Sequence, residues 1–229
     1  MAPGLGKYYR GRAVIVDVQN DFITGSLGSP RAPKILPKIY QLLDSHEWPF
    51  IVASQDWHPI DHVSFAATHP GAGDSINITF LDTNSKIETQ ALYPNHCVPE
   101  TWGAEIETGV QTRLHYLEGF RTPVNYIKKA QNHSVDSYSA FGDNQYHQFT
   151  TLHSELLLHS IETIVVTGLI TNACVRGTSI DGIKFGFEVI LIEDATETTS
   201  DEAKASAIAE LEGWAVSKYL LAIPIETLI

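Results

Sequence analysis

The segment VVTGLITNACVRG, residues 165–177, joins the end of a strand to the start of a helix. A β-branched apolar run from Ile164 to Thr167 stops at Gly168, and a helix-like segment that carries Cys174 follows. A cysteine in the first turn of a helix lies among unpaired N–H groups at the positive end of the helix dipole, which favours the nucleophilic thiolate. Most free cysteines are small buried hydrophobic residues. The segment therefore predicts a nucleophile only if the rest of the chain supplies a base, a cation and a substrate anchor.

Apolar runs and helix-like segments alternate on both sides of this segment. The run 13–18, AVIVDV, is apolar except for Asp17, which is typical of a strand covered on both faces of a parallel sheet. Strands are predicted at 13–18, 49–54, 124–128, 164–167, 187–192 and 214–221, and helices at 34–45, 144–159, 171–185 and 201–211. This alternation predicts an α/β fold, a three-layer α/β/α arrangement with a mainly parallel six-stranded sheet.

The range 59–119 shows little strand or helix periodicity and is rich in Gly, Pro, Asn and Thr. A structureless loop of that length is uncommon in a compact domain, so we expect an inserted loop-rich lobe with short helices or hairpins over the sheet edge. A chain of 229 residues can bury one sizeable core, and nothing in it requires a second. The prediction is a single domain over 1–229.

Composition limits the class of partner. The net charge of −12 disfavours binding to nucleic acid or to an anionic membrane, since both require clustered Lys and Arg. Small molecules are the expected partners, and a homo-oligomer stays open. The sequence contains no apolar run near 18 residues and no basic, apolar leader, so we expect a cytoplasmic protein, with the nucleus as an alternative. Two cysteines are too few for a disulfide framework.

Charged side chains lie at the ends of two predicted strands. A buried carboxylate such as Asp17 is costly unless it is paired, and open α/β sheets place their sites at the carboxyl ends of strands. Asp17 is therefore a candidate site residue, with a turn or helix-capping aspartate as the alternative. Lys129 ends the 124–128 strand, where its ammonium group could pair with Asp17 and stabilise developing negative charge. The neighbouring Lys128 leaves this choice open on pattern alone.

Another group of residues has the composition of a divalent metal site. Asp56 and His58 follow the second predicted strand, His62 comes four residues later, and His96 lies within YPNHC at 93–97. Two imidazoles and one carboxylate leave coordination positions open for water or substrate, as in a working site. Because the chain has 10 histidines, chance neighbours are the alternative. The predicted cofactor is a divalent metal ion, with Zn favoured and Mn or Fe also fitting.

Five segments, in chain order, carry a family resemblance. They are VDVQNDF (16–22), SQDWHPIDHVSF (54–65), YPNHCV (93–98), DSYSAF (136–141, beginning seven residues after Lys129) and VTGLITNACVRGT (166–178). Together they resemble the nicotinamidase/pyrazinamidase branch of the isochorismatase-like cysteine hydrolases. The likeness runs over most of the chain, and the Asp-x-His pair with His-Cys-Val points to nicotinamidases rather than to isochorismatases, which lack a metal site.

The resemblance implies a catalytic set. Cys174 would be the nucleophile, Asp17 the base and Lys129 the cation, where the spacing to the DSYSAF segment selects Lys129 over its neighbour. The family has a cis peptide before the nucleophile, which here would be Leu169-Ile170. The backbone N–H groups of Ile170 and Cys174 would form the oxyanion hole.

The resemblance also implies Asp56, His58 and His96 as metal ligands, with His62 either a further ligand or a hydrogen-bond partner of one. The expected activity is metal-dependent hydrolysis of nicotinamide to nicotinate and ammonia through a thioester, with pyrazinamide as a further substrate. The alternatives are another amidase or an ether hydrolase of the same superfamily, or a silent homologue that only binds metal or ligand.

The substrate ring would lie against aromatic side chains, for which Phe22, Tyr93 and Tyr138 are the candidates. Three positions depart from the family pattern, one of them Tyr93, where the family often has tryptophan. Asn172 stands where the family has an aspartate, and Ala130 stands where it often has glycine.

Overall fold

The computed structural model describes residues 11–45, 48–82, 86–214 and 220–228. Eight strands and seven α-helices follow one another in these residues. The strands are β1 (Arg12–Val16), β2 (Ile51–Asp56), β3 (Ser75–Thr79), β4 (Ile87–Ala91), β5 (Val124–Lys129), β6 (Thr163–Leu169), β7 (Glu188–Glu197) and β8 (Leu220–Ile223). The helices are α1 (Asn20–Ile23), α2 (Leu36–Ser45), α3 (Thr108–Gly119), α4 (Leu152–Leu158), α5 (Arg176–Lys184), α6 (Asp201–Trp214) and α7 (Ile225–Leu228).

Six strands form one sheet in the order β5-β2-β1-β6-β7-β8, and every neighbouring pair is parallel. The predicted six-stranded, mainly parallel sheet is therefore confirmed. The chain builds outward from β1 to β2 and β5, then crosses back to place β6 on the other side of β1. This reversal is a topological switch point, and ligands of such sheets bind in the crevice outside the strand ends there.

The sheet is covered on both faces, as the three-layer prediction requires. Alternate residues of β1 point to opposite sides, so that Ile15 packs with α2, α3 and α7, whereas Val14 packs with α4, α5 and α6. The first layer is represented by Ile39, Leu114 and Ile225, and the second by Leu156, Ile180 and Leu211.

The range 59–119 contains the antiparallel hairpin β3–β4 and the 12-residue helix α3. Only Val110 and Leu114 of α3 are buried, which explains why its sequence carries a weak apolar period. The helix packs against α2 and so forms part of the layer that covers the sheet. The assignment of 1–229 to one domain stays a prediction.

Several predicted element bounds are wrong: β1 ends at Val16, two residues before the predicted end, and β7 runs to Glu197, five residues beyond it. The helix predicted at 144–159 is confined to Leu152–Leu158, because the Asp143 carboxylate accepts hydrogen bonds from the backbone N–H groups of Gln145, His147 and Gln148 and holds a turn instead. The strand predicted at 214–221 is wrong at its start, since Trp214 is the last residue of α6 and β8 begins at Leu220. A glycine such as Gly213 costs a helix only about 1 kcal/mol, so it does not end α6. Residues 215–219 lie outside the described residues.

None of the helices within the described ranges is long and apolar enough to cross a lipid bilayer.

Candidate active site

Four neighbouring strands deliver the central charged and nucleophilic side chains to one edge of the sheet. Asp17 follows β1 directly, Asp56 ends β2, Lys129 ends β5, and Cys174 lies in the turn after β6. Asp56 and Lys129 are register partners. The structure thus brings together four predicted site residues at the switch point between β1 and β6.

Close backbone approach shapes this edge. Gly168, near the end of β6, has φ +116°, and a Cβ atom there would lie 2.0 Å from the Val16 carbonyl oxygen, so only glycine fits. Asp17 has φ +49° and Ala130 has φ +55°, which turns the chain away immediately after β1 and β5. Ala130 thus has a left-handed conformation, which glycine adopts without strain.

Lys129 is the centre of a buried charge cluster. Its Nζ atom lies 3.0 Å from Asp17 Oδ2, 3.5 Å from Cys174 Sγ and 2.7 Å from the Ser137 carbonyl oxygen, and it also donates to Asp56 Oδ1. The Lys129 side chain is fully buried. One ammonium group therefore pairs with two carboxylates beside the cysteine, and this pairing lowers the cost of burying the charges.

The pKa values of the two carboxyl groups in this cluster shift in opposite directions. Burial raises the pKa of Asp17 to about 6, although Lys129 opposes the rise. Burial acts the same way on Asp56, but its attraction to Lys129 and His58 prevails and holds the pKa of that carboxyl far below its usual range. Burial disfavours the Lys129 ammonium, yet the two carboxylates hold its pKa well above the ordinary value. Divergent pKa values in one cluster are typical of functional sites and suit Asp17 to accept a proton near neutral pH.

Cys174 lies in a π-helical turn, Thr171–Val175, that precedes α5. The Leu169-Ile170 peptide before this turn is cis, as the family resemblance implies. Burial raises the pKa of the Cys174 thiol well above its ordinary value, and Lys129 only partly opposes this effect. Burial therefore favours the thiol in the resting site, in the opposite direction to the effect expected from the helix start. The thiol needs a base, and an Asp17 oxygen lies within 4.8 Å of Cys174 Sγ.

Asp56, His58 and His96 place three potential metal-ligand atoms within 4.8 Å of one another. His58 Nε2 lies 3.6 Å from Asp56 Oδ2, close to the separation of roughly 3.4 Å expected for two tetrahedral ligands with bonds of about 2.1 Å. His96 donates from Nδ1 to the Pro94 carbonyl at 2.8 Å, an arrangement that leaves Nε2 with its lone pair. Burial, aided by His58, lowers the pKa of His96 and so favours the neutral form that binds metal. This donor set fits a divalent transition metal.

His62 is placed differently from the other three candidate ligands. Its Nδ1 atom is hydrogen bonded to Ser64 Oγ at 2.7 Å, and its Nε2 atom lies 3.4 Å from the Val135 carbonyl oxygen. The ring centroids of His58 and His62 are 4.2 Å apart. His62 groups instead with His58 and Asp136, which gives a second set of potential ligand atoms within 4.8 Å.

Asp136 is a site residue that the sequence reasoning did not single out. It is buried beside the cavity, where Oδ2 accepts a hydrogen bond of 3.2 Å from Gln90 on β4 and Oδ1 accepts one of 2.8 Å from its neighbour's backbone N–H. Its position at the start of the DSYSAF segment was a signal that could have pointed to it.

A small, mainly apolar cavity opens above Cys174. Phe22, Tyr93 and Tyr138, the three predicted ring contacts, all line it. The hydroxyl oxygens of Tyr93 and Tyr138 are 3.5 Å apart. Leu27, which the sequence reasoning did not single out, lines the cavity too, as do Asp56, His58, His96, Ile170 and Ala173. A flat aromatic ring suits this lining.

Asn172 lies two residues before the cysteine. Its Oδ1 atom accepts a hydrogen bond of 2.6 Å from Thr198 Oγ1, which links the nucleophile turn to the chain beyond β7. A buried contact of 2.9 Å between the hydroxyls of Thr171 and Thr196 makes a second link. The family's aspartate could accept the same bond from Thr198, so the departure preserves the contact.

For the amide hydrolysis that the family resemblance implies, we expect Asn172→Asp to change kcat/KM less than about 3-fold, because a carboxylate oxygen can replace the amide oxygen. Asn172→Ala removes the acceptor and is expected to lower kcat/KM about 5-fold, the equivalent of one hydrogen bond worth about 1 kcal/mol. Steady-state kinetics of both variants test this. A loss of tenfold or more in Asn172→Asp would show that the amide has a role which the carboxylate cannot fill.

Comparison with known proteins assigns the class. Residues 128–220 match the Isochorismatase domain. The nicotinamidase of Escherichia coli (strain K12) is 34% identical over 208 residues, which cover 87% of this chain and 88% of that protein. A solved structure of an Acinetobacter baumanii nicotinamidase pyrazinamidase is similar with a TM-score of 0.81 at 31% identity, covering 97% of this chain and 100% of the other. A Pyrococcus horikoshii pyrazinamidase in complex with zinc has a TM-score of 0.69 at 25% identity, covering 94% of this chain and 99% of the other.

The fold and these matches define an isochorismatase-like hydrolase. Within that class, the chain belongs to the nicotinamidase family.

Proposed function

We propose that this protein hydrolyses nicotinamide to nicotinate and ammonia, and pyrazinamide in the same way, through a thioester on Cys174. The observation that carries the proposal is the cluster in which Lys129 Nζ lies 3.0 Å from Asp17 Oδ2 and 3.5 Å from Cys174 Sγ, beneath a small, mainly apolar cavity. The relatives named nicotinamidase, which match across most of the chain, support the choice of substrate.

In the first step the substrate ring lies between Phe22, Tyr93 and Tyr138, with its carboxamide above the cysteine. Asp17 accepts the thiol proton as Cys174 sulfur attacks the amide carbon and forms the C–S bond. The pair of electrons from the carbonyl π bond moves to oxygen. This oxyanion accepts hydrogen bonds from the backbone N–H groups of Ile170 and Cys174, each worth on the order of 3 kcal/mol in comparable sites.

In the second step the C–N bond breaks. The nitrogen takes the proton held by Asp17 and leaves as ammonia, and the carbonyl re-forms as a thioester. Asp17, again ionised, then removes a proton from water as the water oxygen attacks the thioester carbon. The C–S bond breaks, the sulfur takes the proton held by Asp17, and the acid product loses its own proton to solvent and leaves as nicotinate. The Lys129 ammonium group stays charged throughout the reaction. It offsets part of the negative charge of the carboxylates, so that Asp17 can accept and release the proton.

Asp56, His58 and His96 are the residues proposed to hold a divalent ion, with zinc favoured; His62 is proposed as a neighbour that packs on the ligand His58. The zinc bound to the similar pyrazinamidase supports this choice. A bound ion would act as a Lewis acid that orients and polarises the substrate.

Metal removal is expected to lower kcat/KM at least about tenfold, because the ring would lose its anchor while the cysteine cluster stays intact. The protein would be dialysed against a chelator, assayed for ammonia release, and assayed again after addition of Zn²⁺, Mn²⁺ or Fe²⁺. Full activity in protein whose metal content is below a few per cent by mass spectrometry would remove the metal from the mechanism.

The test of the whole proposal is ammonia release from nicotinamide by the metal-loaded wild-type protein. Turnover at rates of about 1 s⁻¹ or more is expected of a working enzyme. An inert protein that binds nicotinamide with one-to-one stoichiometry would instead be the silent homologue. Turnover of other amides but not of nicotinamide would assign another amidase of the superfamily.

A further inference from the structure

The end of β2 loses its strand partner on one side. β1 and β2 pair from Ala13↔Ile51 to Ile15↔Ala53, and the last backbone contact is the bond of 3.2 Å from Asp17 N to the Ser54 carbonyl. The positive φ of Asp17 then turns the chain away from the sheet. β2 nevertheless continues to Asp56, two residues beyond Ser54.

The backbone groups of Asp56 point into this gap. On the other edge of β2, Trp57 N donates to the Lys129 carbonyl at 3.0 Å. Because successive residues of a strand direct their N–H and C=O groups to opposite edges, those of Asp56 face the side that β1 has left. Buried backbone groups of this kind require partners.

Gln19 fills the gap with its side chain. Its Oε1 atom accepts from Asp56 N at 2.8 Å, and its Nε2 atom donates to the Asp56 carbonyl at 2.9 Å. The amide also donates to the Ala104 carbonyl at 3.0 Å. Gln19 is completely buried, so nothing from solvent competes for these bonds. The side chain thus imitates one peptide unit of a neighbouring strand.

We propose that Gln19 is a positioning residue that holds the metal ligand Asp56 in place through its backbone. The inference rests on the proposed metal site. One oxygen of the Asp56 carboxylate accepts a hydrogen bond from Lys129, and the other lies 3.6 Å from His58 Nε2. Both contacts depend on where the Asp56 backbone lies, and the paired bonds to Gln19 fix that position on the open edge of β2. Outer partners of metal ligands commonly contribute 10- to 100-fold to metal affinity.

The chain offers a matched control in Gln55. Its Nε2 atom donates to the same acceptor, the Ala104 carbonyl, at 2.9 Å, and its side chain is also buried. Gln19→Met and Gln55→Met therefore both remove a bond to Ala104 with similar change in volume, but only Gln19→Met releases the Asp56 backbone.

The test measures Zn²⁺ affinity of the metal-free proteins by competition with a chromophoric chelator, with thermal unfolding to confirm the fold. Gln19→Met is expected to bind Zn²⁺ about 10- to 100-fold more weakly than wild type, and Gln55→Met within about 3-fold. Ammonia release by Gln19→Met is expected to recover as Zn²⁺ is raised to saturation. Affinity within 3-fold of wild type in folded Gln19→Met, or an equal loss in both variants, overturns the proposal.

A second measurement does not depend on the variants folding. Hydrogen exchange of the Asp56 amide in wild type is expected to be slow, because its N–H donates a hydrogen bond to Gln19 Oε1. Rapid exchange overturns the proposal. If wild type binds Zn²⁺ but releases no ammonia, the amidase function fails and the affinity comparison still decides the role of Gln19. If wild type binds no Zn²⁺, the metal site and the role of Gln19 fail together.

Discussion

Replacing Cys174 by alanine is expected to lower kcat/KM for nicotinamide by roughly 10⁴-fold or more, the scale on which loss of a nucleophile acts in comparable enzymes. Without sulfur no thioester can form, and the remaining groups can only bind the amide and polarise it. The substrate should still bind, because Phe22, Tyr93 and Tyr138 are unchanged around the cavity. The measurement is ammonia release under single-turnover and steady-state conditions, together with nicotinamide binding by calorimetry.

Cys97 is the matched control, since it is the other cysteine of the chain and is equally buried. Its Sγ atom contacts the Gly103 carbonyl at 4.0 Å and does not line the cavity. Cys97→Ala is expected to retain kcat/KM within a few fold. Mass spectrometry after rapid quenching should find the acyl group on Cys174 in both wild type and Cys97→Ala. Retention of activity in Cys174→Ala, or an acyl group on Cys97, would contradict the proposed mechanism.

Asp17→Asn is expected to lower kcat/KM by about 10³-fold, within the range of 10²- to 10⁴-fold for loss of a general base. An amide cannot take the thiol proton, and burial still raises the pKa of the Cys174 thiol in the variant. The isosteric amide can still accept from Ser54 Oγ, which lies 2.6 Å from Asp17 Oδ1, so the fold should stay near native. Circular dichroism and Zn²⁺ content control for the fold and the metal. Activity above about a tenth of wild type would remove Asp17 from the mechanism.

The pH dependence of kcat/KM provides the second signature of Asp17. Burial raises the pKa of this carboxyl to about 6, and the base works only when ionised. Protonation as the pH falls through 6 therefore removes activity, and the loss should approach tenfold per pH unit below that value. As the pH rises above 6 the activity should level off. The residual activity of Asp17→Asn should lack this acidic limb, and an unchanged limb in the variant would assign it to another group.

The strand and helix pattern was largely predictable because the sheet strands are short, apolar and β-branched, and the turns between them are polar. Prediction failed at 144–151, where one carboxylate, that of Asp143, holds several backbone N–H groups in a turn. It was weakest at 59–119, because the hairpin there is half exposed and α3 buries only two residues. The apolar periodicity of a sequence reflects which residues are buried. Strands and helices with little buried surface therefore show a weak apolar pattern and are hard to predict.

The choice between Lys128 and Lys129 could not be made from the sequence pattern alone. Alternation along β5 sends the two side chains to opposite sides: Lys129 enters the buried cluster, whereas Lys128 is exposed and lies over the Trp57 ring, 3.5 Å from its centroid. Two adjacent lysines in a sequence do not by themselves show which of the two side chains faces the site. The likeness to the family pointed to Lys129, and the sheet supplies the physical reason.

By itself, the amino-acid sequence determined the class of fold, the family and the residues with the chemistry of a nucleophile, a base, a cation and a metal site. Only the tertiary structure decided how they meet. The Asp56 backbone depends on Gln19, 37 residues away, and the turn that carries the cysteine depends on Thr198, 26 residues from Asn172. Helix and strand periods describe neighbours along the chain, whereas these contacts exist only because parallel strands bring distant carboxyl ends to one edge of the sheet. The protonation state of Cys174 also depends on the fold, because burial in the folded site raises the pKa of the thiol.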